Sequence, residues 1–144
     1  MLLYLDNSVL NRPFDDQRQP RIWLETLAFS LVLSLIESGE AEMIESAIHR
    51  LENDASPAPI RRIFVEKCLG LASVRPKLDD TVRRRALELH GNGFSALDAL
   101  HVASAEQAGA DYFLSCDDRI VRRYSGKLRV QNPQIFANTI GPVP

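Results

Sequence analysis

SALDALHVASAEQAGADYFLSCDD, residues 95–118, runs a helix into a strand and ends on acids. Ser95 opens the helix, and SALD has the spacing of a capping box, in which a Ser and an acid three residues on satisfy the first free N–H groups. Gly109 stops the helix, and Tyr112 to Cys116 reads as a strand followed directly by Asp117 and Asp118. The same order, apolar strand then acid, opens the chain: LLYLDNSVLNRP, residues 2–13, runs from Leu2 straight into Asp6. Neighbouring apolar residues in both runs fit strands buried on both faces, as in a parallel sheet.

Working outward, Pro20 starts a long helix to about Ser38, with Gly39 as its stop. Its apolar positions Ile22, Leu24, Leu27, Ala28, Leu31, Val32, Leu35 and Ile36 recur at helical spacing. Residues 42–46 form a weak strand candidate, and a short helical piece carries His49, Leu51 and Glu52. Asn53 to Pro59 is a linker by its Asn, Ser and Pro content. Ile60 to Leu71 is a second amphipathic helix, with Ile63, Phe64, Cys68 and Leu71 on one face. Asp79 or Asp80 caps a third, through Leu89, ended by Gly91 and Gly93. DDRIVRRYSG, residues 117–126, is a short helix closed by Gly126, and Leu128 to Gln131 is a last strand before Pro133. There are no internal repeats. Strands alternating with helices predict one domain over residues 1–144, a three-layer α/β/α sandwich with a central mostly parallel sheet. Right-handed crossovers place the loops after the strands on one edge, where ligands of such folds bind. Asp6 and Asp117 both belong on that edge.

Composition fits this. The chain has 144 residues, 45% hydrophobic and 25% charged, with a formal net charge of −2. That suits one soluble domain with a real core and is not the balance of an overall polyelectrolyte binder. Cys68 and Cys116 sit in apolar surroundings, which predicts reduced, buried thiols and a cytoplasmic protein. No basic, apolar and small-residue leader is visible, so no secretion signal is expected. The longest apolar stretch, Leu24 to Ile36, is interrupted by Glu25, Thr26, Ser30 and Ser34. It is shorter than the ~20 residues a membrane span needs and predicts a buried helix.

Four acids carry the chemistry, and each also has a purely structural reading. Asp6 could close an Asx turn. Asp98 could be the reciprocal acid of the capping box. Asp117 could cap the next helix. Glu52 could lie on a solvated helix face. Read together, two strand-end acids and one helix-start acid point toward one crevice. Crowded carboxylates raise one another's pKa unless a cation compensates. Oxygen-only donors favour Mg²⁺ or Mn²⁺, and such ions can polarise a phosphodiester and activate water. His49, His90 and His101 have no metal-ligand spacing with the cysteines. No Ser/His/Asp set and no Gly-rich phosphate loop competes. Ser8 stands where a phosphatase of the haloacid dehalogenase type would need a second Asp.

The chain resembles the PIN-domain family, to which VapC-type toxin ribonucleases belong. LYLDNSVLNRP is similar to the family's opening strand, with its acid and small polar residues. ESAIHRLE resembles the second block, a Ser followed six residues later by an acid, here Ser46 and Glu52. FSALDALHVASAEQAGADYFLSCDD resembles the third and fourth blocks. The resemblance spans nearly the whole chain. It implies that Asp6, Glu52, Asp98 and Asp117 hold Mg²⁺ or Mn²⁺, that Ser8 and Ser115 position those acids, and that RNA is the substrate. Asn7 departs from the Thr or Ser common at its position. Arg12, with Arg119, Arg122 and Arg123, could meet phosphates beside the scissile bond, or be solvated helix charges. Arg83 to Arg85 read as an exposed helix face, and Phe94 and Tyr124 as base-stacking or core aromatics. The expected function is a metal-dependent endoribonuclease, in a bacterial setting a toxin held by an antitoxin protein, with a homodimer through the helix from Arg21 to Ser38. The alternative is a non-catalytic protein- or RNA-binding module in which the acids are only caps.

Overall fold

In the computed structural model, which describes residues 1–140, the first strand is β1 (Leu2–Leu5), and its side chains alternate between two buried faces. Leu3 and Leu5 enter one apolar cluster with Val9, Phe29, Val32, Leu69, Leu114 and Phe136. Tyr4 enters the other with Val82, Leu89, Val102, Phe113 and Ile120. Alternate residues of a strand face opposite ways, so a strand covered on both sides must be apolar at every position. β1 pairs in parallel with β2 (Glu42–Met43) on one side and β3 (Tyr112–Leu114) on the other. β3 pairs in parallel with β4 (Arg129–Gln131), giving the order β2-β1-β3-β4. Leu5 stands opposite Leu114, so β1 and β3 end level. The Asp6 N–H then donates to the Leu114 carbonyl at 3.1 Å, which brings the residues after both strands to one place.

The helices are α1 (Asn7–Leu10), α2 (Pro20–Glu37), α3 (Ala47–Asp54), α4 (Pro59–Leu69), α5 (Asp80–Gly91), α6 (Ala96–Gln107), α7 (Asp118–Arg123) and α8 (Pro133–Thr139), with a 3-10 turn at Arg12–Phe14. The first cluster joins α1, α2, α4 and α8 to the sheet, and the second joins α5, α6 and α7. The result is the expected three-layer sandwich, with a sheet that is parallel throughout.

Several boundaries differ from expectation. The strand expected over residues 42–46 ends at Met43, and the edge continues only as a single bridge between Ile44 and Val74. The linker is shorter than expected because α3 continues to Asp54 and α4 starts at Pro59, where a proline suits the first helical turn. α4 buries Val65, Cys68 and Leu69, while Ile63 and Leu71 are exposed. Both stripes have helical spacing, and contact with α2 and β1 selects the first. α2 forms as expected and stops at Gly39, whose φ of 81° a residue with a Cβ rarely adopts. It is not wholly buried: Trp23, Leu24, Leu27 and Leu31 face outward, and the acid Glu25 faces inward at 0% exposure. α8 was not expected, although Asn132 before Pro133 is a good helix start: the Asn132 side chain accepts the Gln134 N–H at 2.8 Å. Both cysteines are buried and unpaired. Among the described residues no helix is long and apolar enough to cross a membrane.

Candidate active site

The carboxyl edge of the sheet is built from helix caps. Asp6 caps α1: its Oδ1 accepts the N–H groups of Ser8 at 3.0 Å and Val9 at 3.3 Å, and also the Ser8 hydroxyl. All three bonds fall on one oxygen. Ser8 Oγ in turn accepts the Cys116 N–H at 2.9 Å and lies 3.5 Å from Ser115 Oγ. Ser115 Oγ accepts the Asp117 N–H at 3.0 Å. Ser8 and Ser115 thus stitch the residue after β1 to those after β3, between Asp6 and Asp117. Asp6 is 5% exposed. Burial raises its carboxyl above the usual carboxylate range, opposed by hydrogen bonds from Ser115 and Ser8.

Asp117 caps α7, accepting the Arg119 N–H at 2.9 Å. The Arg119 guanidinium also covers both of its oxygens, at 3.2 and 3.0 Å. This pairing holds the Asp117 carboxyl below its usual range. The neighbouring acid, Asp118, turns away and pairs with Arg21 at 2.7 Å. The structure therefore separates the two adjacent acids.

Asp98 sits in the first turn of α6, where its backbone N–H donates to Ser95 Oγ at 3.2 Å. Its carboxylate does not return a bond to Ser95, so the capping box is only half formed. Asp98 instead lines a cavity of about 300 Å³ with Phe94, Ser95, Arg119 and Arg123. Glu52 does reach the edge. From α3 its Oε1 meets His101 Nε2 on α6, and it lines a second cavity of about 320 Å³ with Asn7, Ser8, Asn11, Asn53 and Arg61. Burial is the largest single effect and raises the Glu52 carboxyl, but His101, Asn7 and His49 together outweigh it and the net shift is downward. Asn7 Oδ1, beside Glu52, is buried without a hydrogen-bond partner.

Two histidines and a tyrosine lie behind these acids and were not anticipated as site residues. The Tyr4 hydroxyl lies 2.5 Å from His101 Nδ1 and 2.7 Å from Ser46 Oγ. His49 accepts the Ser46 N–H on Nδ1 at 3.0 Å and meets the Leu5 carbonyl through Nε2 at 2.6 Å. Spacing held a signal for one of them: His101 is three residues after Asp98, hence on the same face of α6.

The cations are mostly occupied. Arg12 pairs with Asp15 at 3.1 Å and with the buried Glu25 at 2.7 Å, so its guanidinium serves the core rather than standing free for phosphate. Arg119 lies at the edge on Asp117. Arg123 donates to the Gly93 carbonyl. Arg83 and Arg85 make helix ion pairs with Asp80 and Glu88, and Arg85 also pairs with Glu106. Phe94 is buried, and Tyr124 bonds Glu106 at 2.6 Å, so both aromatics serve packing. Another cavity, about 560 Å³ between Arg85, Glu106, Gly126 and Lys127, lies near the amino ends of β3 and β4, away from Asp6 and Asp117.

The four acids share an edge without forming a ready cage. Among the described residues no three His, Cys, Asp or Glu side chains stand close enough together to hold a metal ion. Protein partners hold the carboxylates apart: Ser8 for Asp6, His101 for Glu52 and Arg119 for Asp117.

The PIN domain profile matches residues 3–126, most of the chain and all four blocks above. The chain belongs to the PIN domain family. No curated protein matches it. PIN domains are generally nucleases that act on RNA or DNA and generally use divalent metals, so this chain carries a nuclease fold. The PIN match runs from β1 through α7 and so spans Asp6, Glu52, Asp98 and Asp117 alike.

Proposed function

We propose that the chain is a metal-dependent endoribonuclease that hydrolyses RNA phosphodiester bonds at the carboxyl edge of its sheet. The observation that carries this reading is the stitch from Asp6 through Ser8 and Ser115 to Asp117. It joins the two strand-end acids where parallel-sheet folds bind ligands. The donor chemistry fits a hard divalent ion. The acids offer only oxygens, Asp6 Oδ2 lies outside the cap bonds, and Asn7 Oδ1 is a buried acceptor lacking a donor. Mg²⁺ is commonly held by one or two carboxylates and keeps several waters, so a closed protein cage is not required. Asp6, Asp98, Asp117 and Glu52 would hold the ion.

When bound, a divalent ion polarises a phosphodiester and lowers the pKa of its water. The chain's own residues do the rest. The α1 cap keeps Asp6 aimed and Ser8 in place. Arg119 leaves Asp117 for substrate phosphate, an exchange made easy because an exposed ion pair contributes only about 0–1 kcal/mol. Arg61, at the second cavity, would exchange its 3.6 Å pair with Asp15 for phosphate on the other flank.

Cleavage of a labelled RNA pool with Mn²⁺, with Mg²⁺ and with EDTA tests this, beside Asp98→Asn and Asp117→Asn. Metal-dependent cutting lost in both variants is expected. Cutting that survives EDTA would overturn it.

A toxin role extends the reading. The outward face of α2, with Trp23, Leu24, Leu27 and Leu31, borders Ala137 of α8 and is apolar enough to meet a second copy or an antitoxin. Light scattering that gives a strict monomer at high concentration would remove the homodimer. The two buried thiols support a cytoplasmic setting. The pairing of Glu52 with His101 and of Asp117 with Arg119 favours one other reading, a non-catalytic binding module. In that case Asp6→Asn leaves RNA or protein binding unchanged and Mn²⁺ does not bind.

A further inference from the structure

We propose that His101 is a positioning residue for Glu52: hydrogen bonds passed from Ser46 through Tyr4 fix its ring so that its Nε2 proton is held on the Glu52 carboxylate. The inference rests on the nuclease reading, because Glu52 must serve the edge for its placement to matter.

The need for such a device follows from chain geometry. Asp6 and Asp117 have short side chains, fixed by N–H groups of the helices they cap. Glu52 lies inside α3, where backbone N–H groups are already paired. Its longer side chain has more rotamers, so its aim must come from another element. His101 on α6 is that element. Its side chain is 3% exposed, against 28% for Glu52, so the contact runs from the core out to the cavity beside Asn7 and Ser8.

The polarity of the chain is set by its outer end. The Glu52 carboxylate can only accept, so the proton of the neutral ring lies on Nε2, and Nδ1 is left as an acceptor. A tyrosine hydroxyl carries one proton, and Tyr4, at 0% exposure, has two partners. Tyr4 then gives its proton to His101 Nδ1 and takes one from Ser46. Packing fixes the ring plane: Tyr4 meets it edge-on at 5.6 Å between centroids and His49 lies at 5.0 Å. α6 therefore supplies one acid, Asp98, and the holder of another, three residues apart on one face. A core histidine needs only to be satisfied, and backbone or water would do. This one is satisfied by a carboxylate at the edge of the site.

Calorimetric titration with Mn²⁺ of the full chain tests the proposal, using wild type, Glu52→Gln, His101→Gln and the double variant. Residues that orient metal ligands typically carry a 10–100-fold effect on affinity. His101→Gln is expected to weaken Mn²⁺ binding by about 10-fold or more, and the double variant to bind no more weakly than Glu52→Gln alone. Losses that add, or wild-type affinity in His101→Gln, overturn the proposal and leave the nuclease reading standing. A wild type that binds no Mn²⁺ overturns both. If His101→Gln does not fold, nitrogen-15 spectra of the unsubstituted protein in mildly alkaline buffer decide. The proton on Nε2 of His101 supports the chain, and a proton on Nδ1 overturns it.

Discussion

Acidification probes the buried side of the site through His49. The ring is fully buried, stacked on Tyr4 with 4.6 Å between centroids. Both nitrogens are engaged, one accepting the Ser46 N–H and the other facing the Leu5 carbonyl. A second ring proton would sit on Nδ1, against the Ser46 N–H, and would place a charge where no water reaches. Burial accordingly pulls the His49 pKa from 6.5 down to about 3. In the unfolded chain His49 takes up its proton near pH ~6.5, while the folded chain refuses it until about 3. Between those values the unfolded state binds one more proton, so stability is fully present above the window and is lost as the pH falls through it. One proton corresponds to a slope of about 1.4 kcal/mol per pH unit. Across the whole window, from 6.5 to about 3, the loss is about 5 kcal/mol. A domain of this size holds only about 5–15 kcal/mol in total, so a loss of this order is large enough to read in an unfolding experiment. His49→Gln offers an acceptor and a donor without titrating. Urea unfolding followed by far-UV circular dichroism, in steps from about pH 7 to about pH 4, should show wild type losing stability faster than the variant by about one proton's slope. Parallel curves would refute the reasoning.

Other substitutions separate architecture from chemistry. Asp6→Asn keeps the α1 cap, because Asn ranks with Asp there, and removes a buried charge. RNA cleavage should vanish while the thermal melt holds or rises, and an unfolded variant would make Asp6 structural. Arg12→Gln leaves the buried Glu25 with Arg21 and Asn132 only and should cost about 1–3 kcal/mol in urea unfolding. Weaker RNA binding at unchanged stability would instead return Arg12 to the substrate. Gly126→Ala drives a Cβ into Tyr124 Oη, which must shift from its bond to Glu106. A loss of about 1–3 kcal/mol is expected, with cleavage by the folded fraction unchanged. Arg119→Ala uncovers Asp117, so calorimetry should show Mn²⁺ binding tightened by at most about fivefold, while RNA binding weakens. Weaker Mn²⁺ binding would show that Arg119 does not compete for Asp117.

The sheet was legible because strand burial leaves a local mark. LLYL and YFL have no polar position, and an acid follows each strand region closely. Helix ends were legible for the same local reason: Asp79, Ser95 and Asp117 cap as their spacing suggests. Facing was not legible. Ile63 and Leu71 fit a helical stripe as well as Val65, Cys68 and Leu69 do, and only the neighbouring elements choose between them. The partners of the acids were hidden likewise, because the contacts of Glu52 with His101 and of Arg12 with Glu25 join distant segments. A charge read alone says nothing of the charge it faces.

The capping and ligand readings of the acids do not compete, and hydrogen-bond geometry says why. A cap needs one carboxylate oxygen, and Asp6 takes the Ser8 and Val9 N–H groups and the Ser8 hydroxyl on Oδ1. The bonds that start α1 therefore also fix the direction of Oδ2. The same logic extends to Glu52, whose Oε1 is held by His101. It fails at Asp117, where Arg119 covers both oxygens. Asp98 is the reverse case, a first-turn acid whose carboxylate leaves the cap altogether. The four positions thus differ in readiness. Asp6 and Glu52 each keep an oxygen outside the bonds that hold them, Asp98 is free of its cap, and Asp117 awaits removal of an exposed cation. Substrate phosphate is the ligand best suited to draw Arg119 away, since a guanidinium binds phosphate as readily as carboxylate. On the proposed reading, the last carboxylate is released by the substrate itself, which couples completion of the site to the arrival of RNA.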